Sequence, residues 1–146
     1  MRVPAPAALA ALLLLAACGQ SQDTTPSQPP PPADAPAATV DFSRPLNALG
    51  NEPFWALKIR PEGLVFSAPD AKDILARNDG PKVEADRASW SGLGDDGATL
   101  AVVLKAGACQ DGMSGLNYPF TATVQAGGRA LTGCAAYADA MPRPGG

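Results

Sequence analysis

Between Phe54 and Arg60 the chain reads Phe-Trp-Ala-Leu-Lys-Ile-Arg, which puts Trp55, Leu57 and Ile59 on one face and Lys58 and Arg60 on the other. A period of two is the pattern of a strand with one buried side. Pro61-Glu62-Gly63 reads as a turn, and Leu64 to Ser67 as the strand returning from it. Val83 to Ser91 and Thr99 to Lys105 predict two further strands, with hairpin chemistry between them in Gly94-Asp95-Asp96-Gly97. From Tyr118 to Gln125 the residues Phe120, Ala122 and Val124 share a face, and Gly127-Gly128 turns that strand into Arg129 to Ala135. Ala68 to Arg77 stays open among loop, short helix and short strand. Pro69 suits a first helical turn, and Asn78-Asp79-Gly80-Pro81 ends whatever forms. Short strands separated by turn residues predict an all-β domain from Leu46 to Asp139, a small antiparallel barrel or sandwich of about six to eight strands. Its core would be Trp55, Phe66, Trp90, Phe120 and Tyr118.

Ahead of this domain the pattern is different. Arg2 precedes an apolar run from Ala7 to Ala17. That run is shorter than the roughly 20 residues a membrane helix needs and has the length of a secretory signal. It ends Leu15-Ala16-Ala17-Cys18-Gly19, which resembles a bacterial lipobox. The resemblance implies cleavage after Ala17 and acylation of Cys18, so that residues 1–17 are a signal peptide and Cys18 holds the protein to a membrane. Each buried methylene of such a chain contributes about 0.8 kcal/mol to anchoring. Asp after the cysteine would retain a lipoprotein in the inner membrane. Gly19 stands there instead, which implies the outer membrane of a Gram-negative envelope, facing the periplasm.

Residues 18–45 then read as a tether rich in Pro, Ser, Gln and Thr, with too little bulky apolar surface to offset the entropy of ordering. Pro29 to Pro32 favour polyproline II, and a PxxP ligand is the rival reading of this stretch. The final Met-Pro-Arg-Pro-Gly-Gly, within residues 140–146, reads as a flexible tail. With Cys18 assigned to lipid, Cys109 and Cys134 remain as a pair in an oxidising compartment, where a disulfide is expected. A metal or redox pair is the alternative, but neither a CxxC motif nor any histidine supports it.

Charge narrows the function classes. The formal net charge is −3, and no basic run occurs, so nucleic acid is not an expected partner. The absence of histidine removes Ser-His and Cys-His chemistry. Ser114 is followed two residues on by Leu116, so the G-x-S-x-G elbow is missing, as is S-x-x-K. Zinc lacks its usual ligands once both cysteines are oxidised, and Asp95-Asp96-Gly97 lacks the EF-hand spacing. No metal, cofactor or catalytic residue is expected.

Two stretches exceed generic β patterning: Gly50-Asn51-Glu52-Pro53-Phe54-Trp55, and Cys109-Gln-Asp-Gly-Met-Ser followed by Tyr118-Pro-Phe120 and Gly133-Cys134-Ala135. Together they resemble a family of uncharacterised bacterial lipoproteins with G-x-E-P-F-W and C-x-D-G-M-S…Y-P-F…G-C-A motifs. The resemblance covers most of Gly50 to Ala135 and implies a small envelope β-domain rather than an activity. Within these motifs Glu52 has two readings: a carboxylate that fixes the chain's entry into its first strand, or a binding group beside Trp55. Asp111, Gly112, Met113 and Ser114 form either a tight structural turn or a partner-binding loop built on Asp111 and Ser114. Three functions follow. The leading one is a non-catalytic, lipid-anchored β-domain that binds another envelope protein or an incoming one. The second is a small-ligand barrel with Trp55, Trp90 and Tyr118 at its mouth. The third and weakest is a carboxylate-based cell-wall hydrolase.

Overall fold

The period-two pattern resolves into strands along nearly the whole domain. A computed structural model describes residues 40–145, in which nine strands form one antiparallel sheet. They are β1 (Leu46–Asn51), β2 (Phe54–Arg60), β3 (Gly63–Ala68), β4 (Ala71–Ala76), β5 (Lys82–Glu84), β6 (Arg87–Leu93), β7 (Thr99–Gln110), β8 (Asn117–Ala126) and β9 (Arg129–Tyr137). The order across the sheet is β4-β3-β2-β1-β9-β8-β7-β6-β5. Two meanders, β1–β4 and β5–β9, are thus joined where β9 pairs with β1, Ala48 opposite Ala135 and Leu49 opposite Cys134. The sheet curls into a half-barrel, and an isolated bridge from Ala76 to Gly94 links the outer edge of β4 to the chain just past β6.

One face of every strand except the fully exposed β5 contributes to the interior. Trp55, Leu57 and Ile59 of β2 face Leu64 and Phe66 of β3, and Leu100, Val102 and Leu104 of β7 alternate in register with Phe120, Ala122 and Val124 of β8. Trp55 stacks on Phe66 with ring centroids 6.3 Å apart. β9 is buried on both sides at its end, where Cys134, Ala135 and Ala136 are all inaccessible. Ala135 belongs to the main core. Cys134 and Ala136 join Tyr118 in a second cluster, against which Leu49, Cys109, Leu116 and Met141 pack.

Several expectations are corrected. The sheet has nine strands, one more than the upper expectation. β1 was not foreseen, because Leu-Asn-Ala-Leu-Gly-Asn carries only two large apolar residues. Glu52-Pro53 therefore lies between β1 and β2 rather than ahead of the first strand, and its peptide bond is cis. Val83 to Ser91 is not one strand. It breaks at Ala85, which takes φ 49°, and the chain folds back so that Glu84 pairs with Arg87. The open stretch Ala68 to Arg77 contains strand β4, with Ile74 and Ala76 buried. β7 continues past Lys105 to Gln110 across an irregularity between Ala106 and Cys109, so Cys109 lies within the strand and not after it.

Both domain boundaries also move outward. Phe42, expected in the tether, is 3% exposed and packs against Trp90 at 6.1 Å and Phe120 at 5.6 Å between ring centroids. Arg44 lies over the Tyr137 ring at 3.9 Å and donates to Asp139 at 2.8 Å. Met141, expected in a flexible tail, packs on the second cluster. The expected signal peptide, the expected acylation site Cys18 and the expected tether up to residue 39 lie outside the described residues.

Candidate functional site

The two sequence motifs meet across the β2–β1–β9 junction, and the meeting point is the Trp55 indole. Gly50 is the cross-strand partner of Trp55, and Gly133 lies beside it on β9. A Cβ at Gly50 would lie 2.6 Å from the Thr132 carbonyl oxygen and closer still to the indole nitrogen. A Cβ at Gly133 would lie 2.8 Å from Trp55 Cζ2 and would collide with the Leu49 carbonyl. Both glycines leave the room into which the indole packs, which is a use of glycine at a close approach inside a strand. Trp55 is thereby a core residue, 4% exposed.

The second motif forms a pinned loop on the other side of β9. Cys109 and Cys134 are disulfide-bonded with Cα atoms 5.6 Å apart, which ties β7 to β9 directly across the end of β8. Beyond the bond, Asp111 turns the chain. Its backbone N–H donates to the Leu116 carbonyl at 2.9 Å, and its own carbonyl accepts from Gly115 N–H at 2.8 Å. Its side chain, 8% exposed, is the buried polar side chain of the described domain. One carboxylate oxygen accepts from the Ser114 backbone N–H at 3.1 Å and from the Ser114 hydroxyl, and the other accepts from the Asn51 amide. The Ser114 hydroxyl bond is the largest of the effects that hold the Asp111 carboxyl below the ordinary carboxylate range, against the opposing pull of burial. Burial, and then the negative charge of Asp111, push the Tyr118 phenol upward.

The Asn51–Asp111 bond joins the last residue of β1 to the loop after β7. Three open concavities surround this junction. One of about 610 Å³ is lined by Thr121, Thr123 and Thr132 and by Asn51, Glu52 and Asp111, among others. A second, of about 510 Å³, is lined by Phe54, Trp55 and Pro69 among others, and a third, of about 590 Å³, lies between Glu52-Pro53-Phe54, Pro69-Asp70 and Met113. Phe54 is 54% exposed and Met113 66%, two large apolar side chains held in solvent by a fixed turn and a fixed loop.

The expected residues thus divide. Glu52, Asp111, Gly112 and Met113 come together around one concavity, with Cys109 and Cys134 beside them. Ser114 points its hydroxyl inward to Asp111 and is committed to the loop. Glu52 is exposed and receives no hydrogen bond among the described residues, while the neighbouring Asn51 donates its amide to Asp111. Trp55, Trp90 and Tyr118 do not line one mouth. Trp90 packs on Phe42 in the main core, Tyr118 lies in the second cluster, and Trp55 borders a concavity by its edge. Asn51, Gly50 and Gly133 stand within the two motifs, but sequence reasoning assigned them no individual role. An isolated Gly in a strand pattern signals close backbone approach, and that signal was present at Gly133, within the expected strand Arg129 to Ala135, but not at Gly50, whose strand was not expected. No protein-family model, curated protein or solved structure matches the chain.

Proposed function

We propose that the protein is a lipid-anchored cell-envelope module, held at a membrane through Cys18, whose non-catalytic β-domain binds another protein through the turn Glu52–Phe54 and the loop Asp111–Met113. The observation that carries this reading is the pairing of exposure with rigidity. Phe54 and Met113, each more than half exposed, border one concavity. The backbone under each is fixed by the Asn51–Asp111 bond and the Cys109–Cys134 disulfide. Preorganised apolar side chains lose little entropy on binding, and aromatic and Met residues are enriched at protein contacts. The Leu15–Cys18 lipobox and the motifs that resemble bacterial lipoproteins support the anchored location.

The test is site-specific photo-cross-linking in cells producing the full chain. Phe54→p-benzoylphenylalanine is expected to yield a discrete higher-mass adduct. The same substitution at Val103, exposed on the outer face of β7, is expected to yield none. Absence of an adduct at position 54, or equal adducts at both, contradicts the reading.

A further inference from the structure

Charge around the junction is distributed unequally. The formally charged side chains bordering the three concavities are Glu52, Asp70 and Asp111, all acidic. They differ in what already neutralises them. Asp70 accepts from the Arg129 guanidinium at 3.2 Å. The Asp111 oxygens are occupied by Ser114 and Asn51. Glu52 borders two of the concavities and has no salt-bridge or hydrogen-bond partner among the described residues. It stands two residues before Phe54, whose ring is half exposed. Pro53, Pro69 and Met113 are the other apolar residues of the same lining.

From this arrangement we infer that the surface recognises a cationic side chain next to an apolar one, so that the partner contributes Lys or Arg to Glu52 and seats an apolar anchor between Phe54 and Met113. The inference rests on the protein-binding reading and specifies its partner. A carboxylate alone on a polar surface attracts any cation weakly. A carboxylate beside an exposed aromatic face offers a cation an ion pair and a π face together, and the guanidinium of Arg suits both. The thioether of Met113 adds favourable contact to an aromatic or aliphatic anchor. An anionic partner would meet Glu52 and Asp111 with no neighbouring base in the same linings, which discriminates against it.

The experiment follows the Met113 methyl resonance of the full chain, labelled with 13C-methyl methionine and held in detergent micelles. The two probes share a ring and differ in charge: phenethylguanidinium and 3-phenylpropionate. The cation is expected to shift Met113 saturably and the anion to leave it nearly unmoved. Glu52→Gln is expected to weaken the cation by about two- to fivefold, the range for an exposed ion pair, and Glu52→Lys to abolish the preference for the cation. A Met113 shift as large with the anion, no shift with either probe, or a preference unchanged in Glu52→Lys overturns the inference. The protein-binding reading fails separately. If the adduct at position 54 forms while Met113 shows no charge preference, the partner's chemistry is wrong and the contact stands. If no adduct forms, the contact itself is wrong.

Discussion

At Gly133 a single methyl group decides whether β1 and β9 can pair. Its Cβ would run into the Leu49 carbonyl and the Trp55 indole, neither of which is a flexible chain end. Gly133→Ala is expected to destabilise by about 3 kcal/mol, the upper part of the overpacking range. Gly112→Ala, where a Cβ meets nothing within 4 Å, should stay within about 0.5 kcal/mol. Denaturant unfolding of both variants checks the contrast. Asp111 gives a pH signature. Its carboxyl titrates below the 3.8 of a free aspartate in the folded state, so its ionised form stabilises the fold above that value. That contribution is lost as pH falls through the lowered folded value. Asp111→Asn should therefore melt below the wild type at neutral pH, and the gap should close at the acid end. Asp41, also lowered, is common to both proteins and cancels. A gap independent of pH would show that the carboxylate's charge is not what holds the loop. The sequence pointed to Asp111 and Ser114 as a turn. It did not point to Asn51, because the partner amide lies 60 residues away and no local pattern encodes that pairing.

Among the elements, period-two patterning and turn residues made β2, β3, β8 and β9, the hairpins β2–β3 and β8–β9, and the first part of β7 legible. β1 and β4 were not. β1 lies between β2 and β9, so Leu46 and Ala48 suffice on its buried face, whereas β4, at the sheet edge, buries only Ile74 and Ala76 and shows no sustained alternation. β5 and β6 were merged because a two-residue turn at Ala85-Asp86 uses no glycine. The disulfide acts at this scale. It closes a segment of 25 residues that holds all of β8, so replacing both cysteines by serine should cost about 3–4 kcal/mol in the loop-closure account. The same variant should free the Asp111–Leu116 loop, visible as faster amide exchange there than in β2. Phe42 is the other long-range tie. Phe42→Ala removes a ring packed on Trp90 and Phe120 and should cost about 3–4 kcal/mol by calorimetry. A near-neutral result would return this residue to the tether.

For the whole molecule, the design separates a filled interior from a decorated rim. The large aromatics that might have lined a ligand cavity are spent on the core, and the apolar groups left to solvent near the motifs are Phe54 and Met113. The all-β class was legible from period-two patterning. The join of β9 to β1 was not, since pairing between strands at opposite ends of the domain leaves no mark in local sequence. The proposed lipid anchor belongs to the same scale. Cys18→Ser should abolish incorporation of labelled palmitate and release the chain from the membrane, and equal labelling would contradict the lipobox. The central claim is that Phe54 and Met113 serve contact and not folding. Its most direct measurement is the double variant Phe54→Ser with Met113→Gln in the full chain, scored together for melting temperature and for yield of the cross-linked adduct formed by a photo-reactive group at Pro53. A melting temperature within about 2 °C of the wild type, with the adduct lost, is the predicted result. A large fall in melting temperature, or an adduct that persists undiminished, would contradict it.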